Sequence, residues 1–290
     1  MFVSGFTFIR NAITFDYPVT EAIASILPYC DEVVVAVGKS SDNTLELIQS
    51  IQSPKIKIIE TVWDDTLRAG GRVLAEETMK AFNATNPLAD WCFYIQGDEV
   101  VHERYGNHIR NQMYTYKDDL RVQGLVFNYV HFYGSYDYVA DSRKWYKHEV
   151  RIIRRNQQII SFRDAQGFQC NGKPLKVKPA DAFIYHYGWV KPPEAQQLKQ
   201  QSFHKLWHSD ETVKQMVSKE NQFDYSGIDS LIPFKGTHPE VMRNRIASKN
   251  WKFEHDLTYK KLRLKYRLIN WLDNYLGISI RPYQNYRIIK

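Results

Sequence analysis

The chain has 290 residues, of which 43% are apolar, enough for one large α/β domain with an extension or for two small domains. No apolar run approaches bilayer-crossing length, and residues 1–9 read as a first strand without the basic start of a signal peptide, so a secreted or membrane-spanning chain is not expected. The net charge of +7 favours an anionic partner, and the widely spaced Cys30, Cys92 and Cys170 read as reduced thiols of a cytoplasmic protein.

Residues 2–9 form a predicted strand that ends in Arg10-Asn11. Asp16-Tyr17-Pro18 opens a helix whose Val19, Ala22, Ile23 and Ile26 share one face, and Pro28 ends it. A second strand over 32–37 is built on Val33-Val34-Val35. The loop Gly38-Lys39-Ser40-Ser41-Asp42-Asn43-Thr44 leads into a helix that buries Leu47, Ile48 and Ile51. An isoleucine-rich strand over 55–62 ends at Trp63-Asp64-Asp65, and a third helix is expected over 67–82. Trp91 to Ile95 is a fourth strand, apolar on both faces. Strands alternating with helices predict a parallel, doubly wound sheet, with a ligand crevice past the strand ends. That crevice would collect Arg10, Asn11, Gly38, Asp64, Asp65, Gln96, Asp98 and Glu99.

Beyond residue 100 the pattern changes. Strands are expected over 125–133, 149–154 and 182–187, in a mixed or antiparallel half laid against the parallel one. Helix is expected over 194–217 and again over 258–276. Residues 251–290 hold nine Lys/Arg and three Asp/Glu, most of the chain's net charge. Such a tail is either a docked helix with a solvated basic face or a peripheral contact with an anionic membrane surface.

Two acids directly after a buried strand, Asp98 and Glu99, cost desolvation energy unless a positive partner meets them. Either they hold a divalent metal and the diphosphate it carries, or they open a solvated loop and cap the next helix. Arg72, behind Ala69-Gly70-Gly71 near a helix start, either binds a diphosphate or acceptor or stands as a solvated helix arginine. Asp64 and Asp65 either touch a nucleoside or cap the following helix.

The order Arg10-Asn11, Ile26-Leu27-Pro28, Asp31-Glu32-Val33-Val34-Val35, Ser40-Ser41-Asp42-Asn43-Thr44 and Gln96-Gly97-Asp98 resembles the opening half of the family 2 glycosyltransferases. The likeness covers residues 2 to about 100 and continues more loosely through Val150-Arg151-Ile152-Ile153-Arg154-Arg155 to Trp189. It implies a GT-A, Rossmann-like fold: a mostly parallel central sheet flanked by helices, then a mixed half. A transferase domain over 1–190 (nucleotide-sugar half 1–100, acceptor half 101–190) would precede a basic, helical extension over 191–290. Two positions depart from the family. Val37, Gly38 and Lys39 replace an acid that contacts the nucleotide, and Gln96 replaces the first acid of the metal motif.

The resemblance implies transfer of a sugar from a nucleotide-diphosphate donor to a hydroxyl of a glycan or lipid-linked saccharide, with inversion and with Mg²⁺ or Mn²⁺. Asp98 would be the metal ligand. His186, in Tyr185-His186-Tyr187-Gly188-Trp189, is a further ligand, a diphosphate contact or a structural histidine. The base that takes the acceptor proton is expected to be a carboxylate beyond the metal motif. Glu149, beside His148 and Arg151, is the first choice, although a plain salt bridge to Arg151 or Lys147 would also explain it. Asp137 and Asp164 follow. Glu99 would orient the acceptor or cap a helix.

Two other classes compete. A nucleotidyltransferase would carry a glycine-rich phosphate loop after the first strand, and Arg10-Asn11-Ala12 has no glycine. A non-catalytic polyanion or glycan binder would exploit the basic tail without needing Asp98. No nucleic-acid motif is present, so nucleic acid is not an expected partner.

Overall fold

The computed structural model describes residues 1–67, 69–207, 212–213, 220–261 and 284–290. The first half alternates as expected: β1 (Val3–Ile9), α1 (Val19–Ile26), β2 (Glu32–Gly38), α2 (Thr44–Gln49), β3 (Ile56–Thr61), α3 (Arg72–Asn83) and β4 (Trp91–Tyr94). The four strands lie parallel in the order β3-β2-β1-β4. The apolar runs of β2 and β4 are continuous because both faces are covered, whereas β3, at the end of this order, is only half-buried. Val33, Val35 and Val37 pack with Ile23 and Ile26 of α1, and Trp91 and Phe93 join that layer. Val34, Ala36, Cys92 and Tyr94 point the other way, toward Ala81 and Phe82 of α3.

The second half contains β5 (Glu99–Val101), α4 (Gly106–Thr115), β6 (Gly124–Tyr133), β7 (Ser135–Ala140), β8 (His148–Arg154), β9 (Ile159–Phe162), β10 (Gly167–Cys170) and β11 (Lys173–Trp189). β8 joins the halves by running antiparallel to both β4 and β6. β11 runs parallel to β6 and antiparallel to β5. The fold is therefore α/β, with a doubly wound parallel half joined to a mixed half. Among the described residues the sheet has thirteen strands.

Several elements differ from expectation. The third helix starts at Arg72, not at 67, because Gly70 (φ 66°) and Gly71 (φ 70°) adopt left-handed conformations that break a helix. Glu99 opens β5 and caps no helix. The strand expected at 182–187 is the end of the much longer β11. After α5 (Pro193–Lys205) the rest of the helix expected to 217 falls largely outside the described residues. Leu231–Pro233 forms β12 on β7, a short α6 spans Arg243–Ala247, and Tyr286–Ile288 forms β13 on β11. The segment expected to be helical thus returns to the sheet twice. Leu257 and Thr258 form a turn, and residues 262–276 of the expected last helix lie outside the described residues. Among the described residues no helix is long and apolar enough to cross a membrane.

Candidate active site

A cleft of about 520 Å³ opens past the C-terminal ends of β1 and β4. This size suits a small organic ligand. Its floor is Ile9, Arg10 and Gln96 to Asp98. One wall comes from β8 and the loop before it (Trp145, Tyr146, Glu149, Arg151), another from β11 and α5 (His186, Trp189, Lys199, Phe203), and Asp164 and Gln166 close the rim. The register explains how distant residues meet: His186 is paired with Glu99 on β5 and with His131 on β6.

Asp98 is 8% exposed. Lys199 Nζ donates to its Oδ2 at 3.1 Å and to the Gly188 carbonyl at 2.9 Å. Burial pushes the Asp98 carboxyl up, but the positive groups around it, Lys199 foremost, together outweigh burial and hold the group well below the usual carboxylate range. His186 Nε2 lies 3.8 Å from the same Oδ2. The histidine tautomers follow from their partners. The Tyr146 carbonyl can only accept, so His131 Nε2 donates to it at 2.6 Å. Burial, reinforced by the neighbouring His186, lowers His131 to about 3, so it is neutral and its Nδ1 accepts. His186 Nδ1 then donates to His131 Nδ1 at 3.1 Å. Burial also lowers His186 to about 4, which leaves Nε2 as a bare lone pair facing Asp98.

A Cβ added at Gly188 would come within 2.6 Å of Asp98 Oδ2 and 2.7 Å of His186 Nε2, so glycine keeps the space beside both atoms open. A carboxylate oxygen and an imidazole lone pair converging on one cradle, already visited by an ammonium, fit a divalent cation with substrate oxygens and water in its remaining positions. No cluster of three or more protein ligands occurs among the described residues.

Beneath this centre Glu99 is fully buried. Arg151 clamps it with two 2.8 Å hydrogen bonds, and the Tyr129 hydroxyl donates at 2.8 Å. Glu99 Oε2 also accepts from the Gln96 backbone N–H at 3.1 Å, so the ion pair shapes the turn that presents Asp98. Arg151 is thereby committed to Glu99. Glu149, two residues away on the same face of β8, instead accepts from Asn285 Nδ2 at 2.9 Å. Glu149 is 3% exposed. Burial raises its carboxyl to about 7, with Arg151 pulling the other way. Burial likewise raises Asp164.

The cleft brings together Arg10, Gln96, Asp98, Glu149, Asp164 and His186 of the expected residues. Others stand elsewhere. Asp137 is exposed on β7, where it accepts from Ser135 Oγ, and it does not line the cleft. Asn11 (φ 53°) ties the end of β1 to the next loop, accepting from Ser41 N at 2.8 Å and donating its own N–H to Ser40 Oγ at 3.0 Å. Gly38 makes room for the Trp63 indole, with which a Cβ would collide. Asp64 accepts from the Thr66 N–H and hydroxyl in a tight turn. Asp65 pairs with Arg10 at 3.0 Å, and the Arg10 guanidinium lies 4.3 Å from the Trp63 ring. Arg72 borders a second, shallower groove with Met79, Asn83 and Arg163.

Sequence reasoning passed over Lys199, Lys191, His131 and Asn285. Lys191 is fully buried and donates to the Phe15 carbonyl at 2.7 Å, fixing the loop that carries Tyr17. Lys191 and Lys199 follow His186-Tyr187-Gly188-Trp189 at a helix start marked by Pro192-Pro193, and that placement was the available signal. Nothing in the sequence near Asn285 points to residue 149.

Fold and site together define an α/β protein with a ligand cleft past the carboxyl ends of its parallel strands, at the junction with a mixed half. No family model and no curated relative matches the chain. Among solved structures, a 1–349 fragment of TarS from S. aureus shows 13% identity, covering 76% of this chain and 67% of that one, with a TM-score of 0.40. Glucosyl-3-phosphoglycerate synthase from Mycobacterium tuberculosis, in complex with Mn²⁺, UDP and phosphoglyceric acid, shows 18% identity over 45% of this chain and 43% of that one, with a TM-score of 0.30. The 4-diphosphocytidyl-2C-methyl-D-erythritol synthase of Anaerococcus prevotii shows 10% identity over 53% and 70%, with a TM-score of 0.33. Likenesses this distant carry no argument about activity, and the fold class rests on the strand order itself.

Proposed function

We propose that the chain is a glycosyltransferase of GT-A type that moves a sugar from a nucleoside-diphosphate donor to an acceptor hydroxyl, on a glycan or a lipid-linked saccharide. The observation that carries this reading is the convergence of Asp98, His186 and Lys199 at the end of β4, in the cleft that also holds the buried carboxylate Glu149. The cleft holds groups that can neutralise an anion together with a buried carboxylate that can take a proton, which is what glycosyl transfer from a diphosphate requires.

Asp98 and His186 Nε2 would hold a divalent cation, Mg²⁺ or Mn²⁺, which as a Lewis acid offsets charge on the leaving diphosphate. Arg10, stacked on Trp63, faces the same cleft. Trp63 and Trp145 line it, and their buried indole N–H groups have no hydrogen-bond partner among the described residues. Glu149 Oε2 is engaged by Asn285, and Oε1 is the atom that would accept the acceptor's proton. The buried Glu99–Arg151 pair holds the turn of Gln96 to Asp98 in place.

The test is release of nucleoside diphosphate from UDP-, GDP-, CDP- and ADP-sugars in the presence of Mn²⁺. One donor class is expected to turn over, and Asp98→Asn is expected to slow release by about a hundredfold or more. Absence of release from every donor, or equal release by Asp98→Asn, contradicts the reading.

A further inference from the structure

We infer that Lys199 is a tethered cation that fills the metal position while the cleft is free of donor and passes to the diphosphate when the donor arrives, so that the divalent cation enters together with the donor. This inference rests on the donor reading given above and deepens it. Lys199 is the seventh residue of α5, and its side chain crosses from that wall of the cleft to Asp98, where it is 13% exposed. A simple surface ion pair would need only the carboxylate. Here the ammonium sits between Asp98 Oδ2 (3.1 Å) and the Gly188 carbonyl (2.9 Å), with the Tyr17 ring 4.9 Å away. Those two oxygens border the cradle that only glycine at 188 leaves open beside His186 Nε2.

Charge decides the order of events. Asp98 supplies one negative charge at this point, and Lys199 already balances it. Lys191 is a second buried amine close by. A divalent cation entering alone must either displace the ammonium or share one carboxylate with it, and both are unfavourable in a buried site. A diphosphate brings further negative charge, enough for both cations, and it gives the released ammonium a partner at the cleft wall.

The test measures Mn²⁺ binding directly, by loss of the free-ion magnetic resonance signal, with no turnover involved. Mn²⁺ alone is expected to bind Lys199→Met about tenfold more tightly than wild type, while UDP, GDP, CDP or ADP at saturating Mn²⁺ binds the variant about tenfold more weakly. Lys199→Gln gives the same comparison should the methionine variant not fold. Unchanged affinity for Mn²⁺ alone, with nucleoside diphosphate binding to wild type intact, overturns the role of Lys199 and leaves the donor reading standing. Failure of wild type to bind any of the four nucleoside diphosphates with Mn²⁺ overturns both.

Discussion

Arg151→Met is expected to cost the fold about 3–5 kcal/mol, the largest loss for any single side chain near the cleft. Arg151 is 1% exposed and Glu99 is 0% exposed, and the two meet through paired 2.8 Å hydrogen bonds. The guanidinium also lies 5.2 Å from the Tyr94 ring and 5.4 Å from that of Tyr129. Removing it strands a buried carboxylate whose remaining partners are neutral donors, the Tyr129 hydroxyl and the Gln96 N–H. A buried ion pair adds little over an apolar pair, but half of one is strongly destabilising. The double variant Glu99→Gln with Arg151→Met is therefore expected to regain much of the loss. Urea unfolding at constant slope measures both. Equal stability of Arg151→Met and wild type would show that Glu99 does not depend on this partner.

Glu149→Gln is expected to abolish most turnover, by about two to four orders of magnitude, while stabilising the fold at alkaline pH. The carboxyl ionises at about 7 in the folded chain against 4.5 for an ordinary glutamate. The folded state thus binds this proton more tightly than the unfolded state. Its contribution is full below about pH 4.5 and is lost as pH rises through about 7. A glutamine stays neutral, so the variant is expected to match wild type near pH 4 and to exceed it by about 3 kcal/mol above pH 8. Melting at the two pH values checks this. A difference that does not change with pH, or turnover unaffected by the substitution, contradicts the role given to Glu149.

The parallel half was legible because its signals are local. Val33 to Val37 can bury alternate side chains on two faces only in a sheet covered on both sides, and Trp91 to Ile95 repeats the pattern before the polar turn at Asp98. The place of Asp98 and His186 in the cleft was legible for the same reason, each standing where an apolar strand meets its end. Position at a strand end, however, does not say which way a side chain turns. Asn11, Asp64 and Gly38 stand at such ends and serve the loops themselves, while Arg10 faces the cleft. Asp137 stood behind Glu149 as a candidate base in sequence, and β7 holds it on the exposed side. The Glu99–Arg151 pair spans 52 positions and depends on β8 inserting between β4 and β6, which no local pattern encodes. Lys199 reaches the cleft on α5, and Asn285 reaches Glu149 just ahead of β13, elements placed by tertiary contact. The start of α3 was the opposite case: Gly70-Gly71 announced a break that helical periodicity alone overlooked.

The most direct test of the central claim, that Asp98 anchors a nucleoside-diphosphate site, is thermal unfolding of wild type and Asp98→Ala with UDP, GDP, CDP and ADP, each with Mn²⁺ and with chelator. At a hundred times its dissociation constant a ligand adds about 2.7 kcal/mol of stability. The account predicts that one nucleotide raises the melting temperature of wild type in Mn²⁺ and leaves that of Asp98→Ala unmoved. Stabilisation that survives in Asp98→Ala, or stabilisation by none of the four while salt-sensitive polyanion binding persists in both proteins, would contradict it.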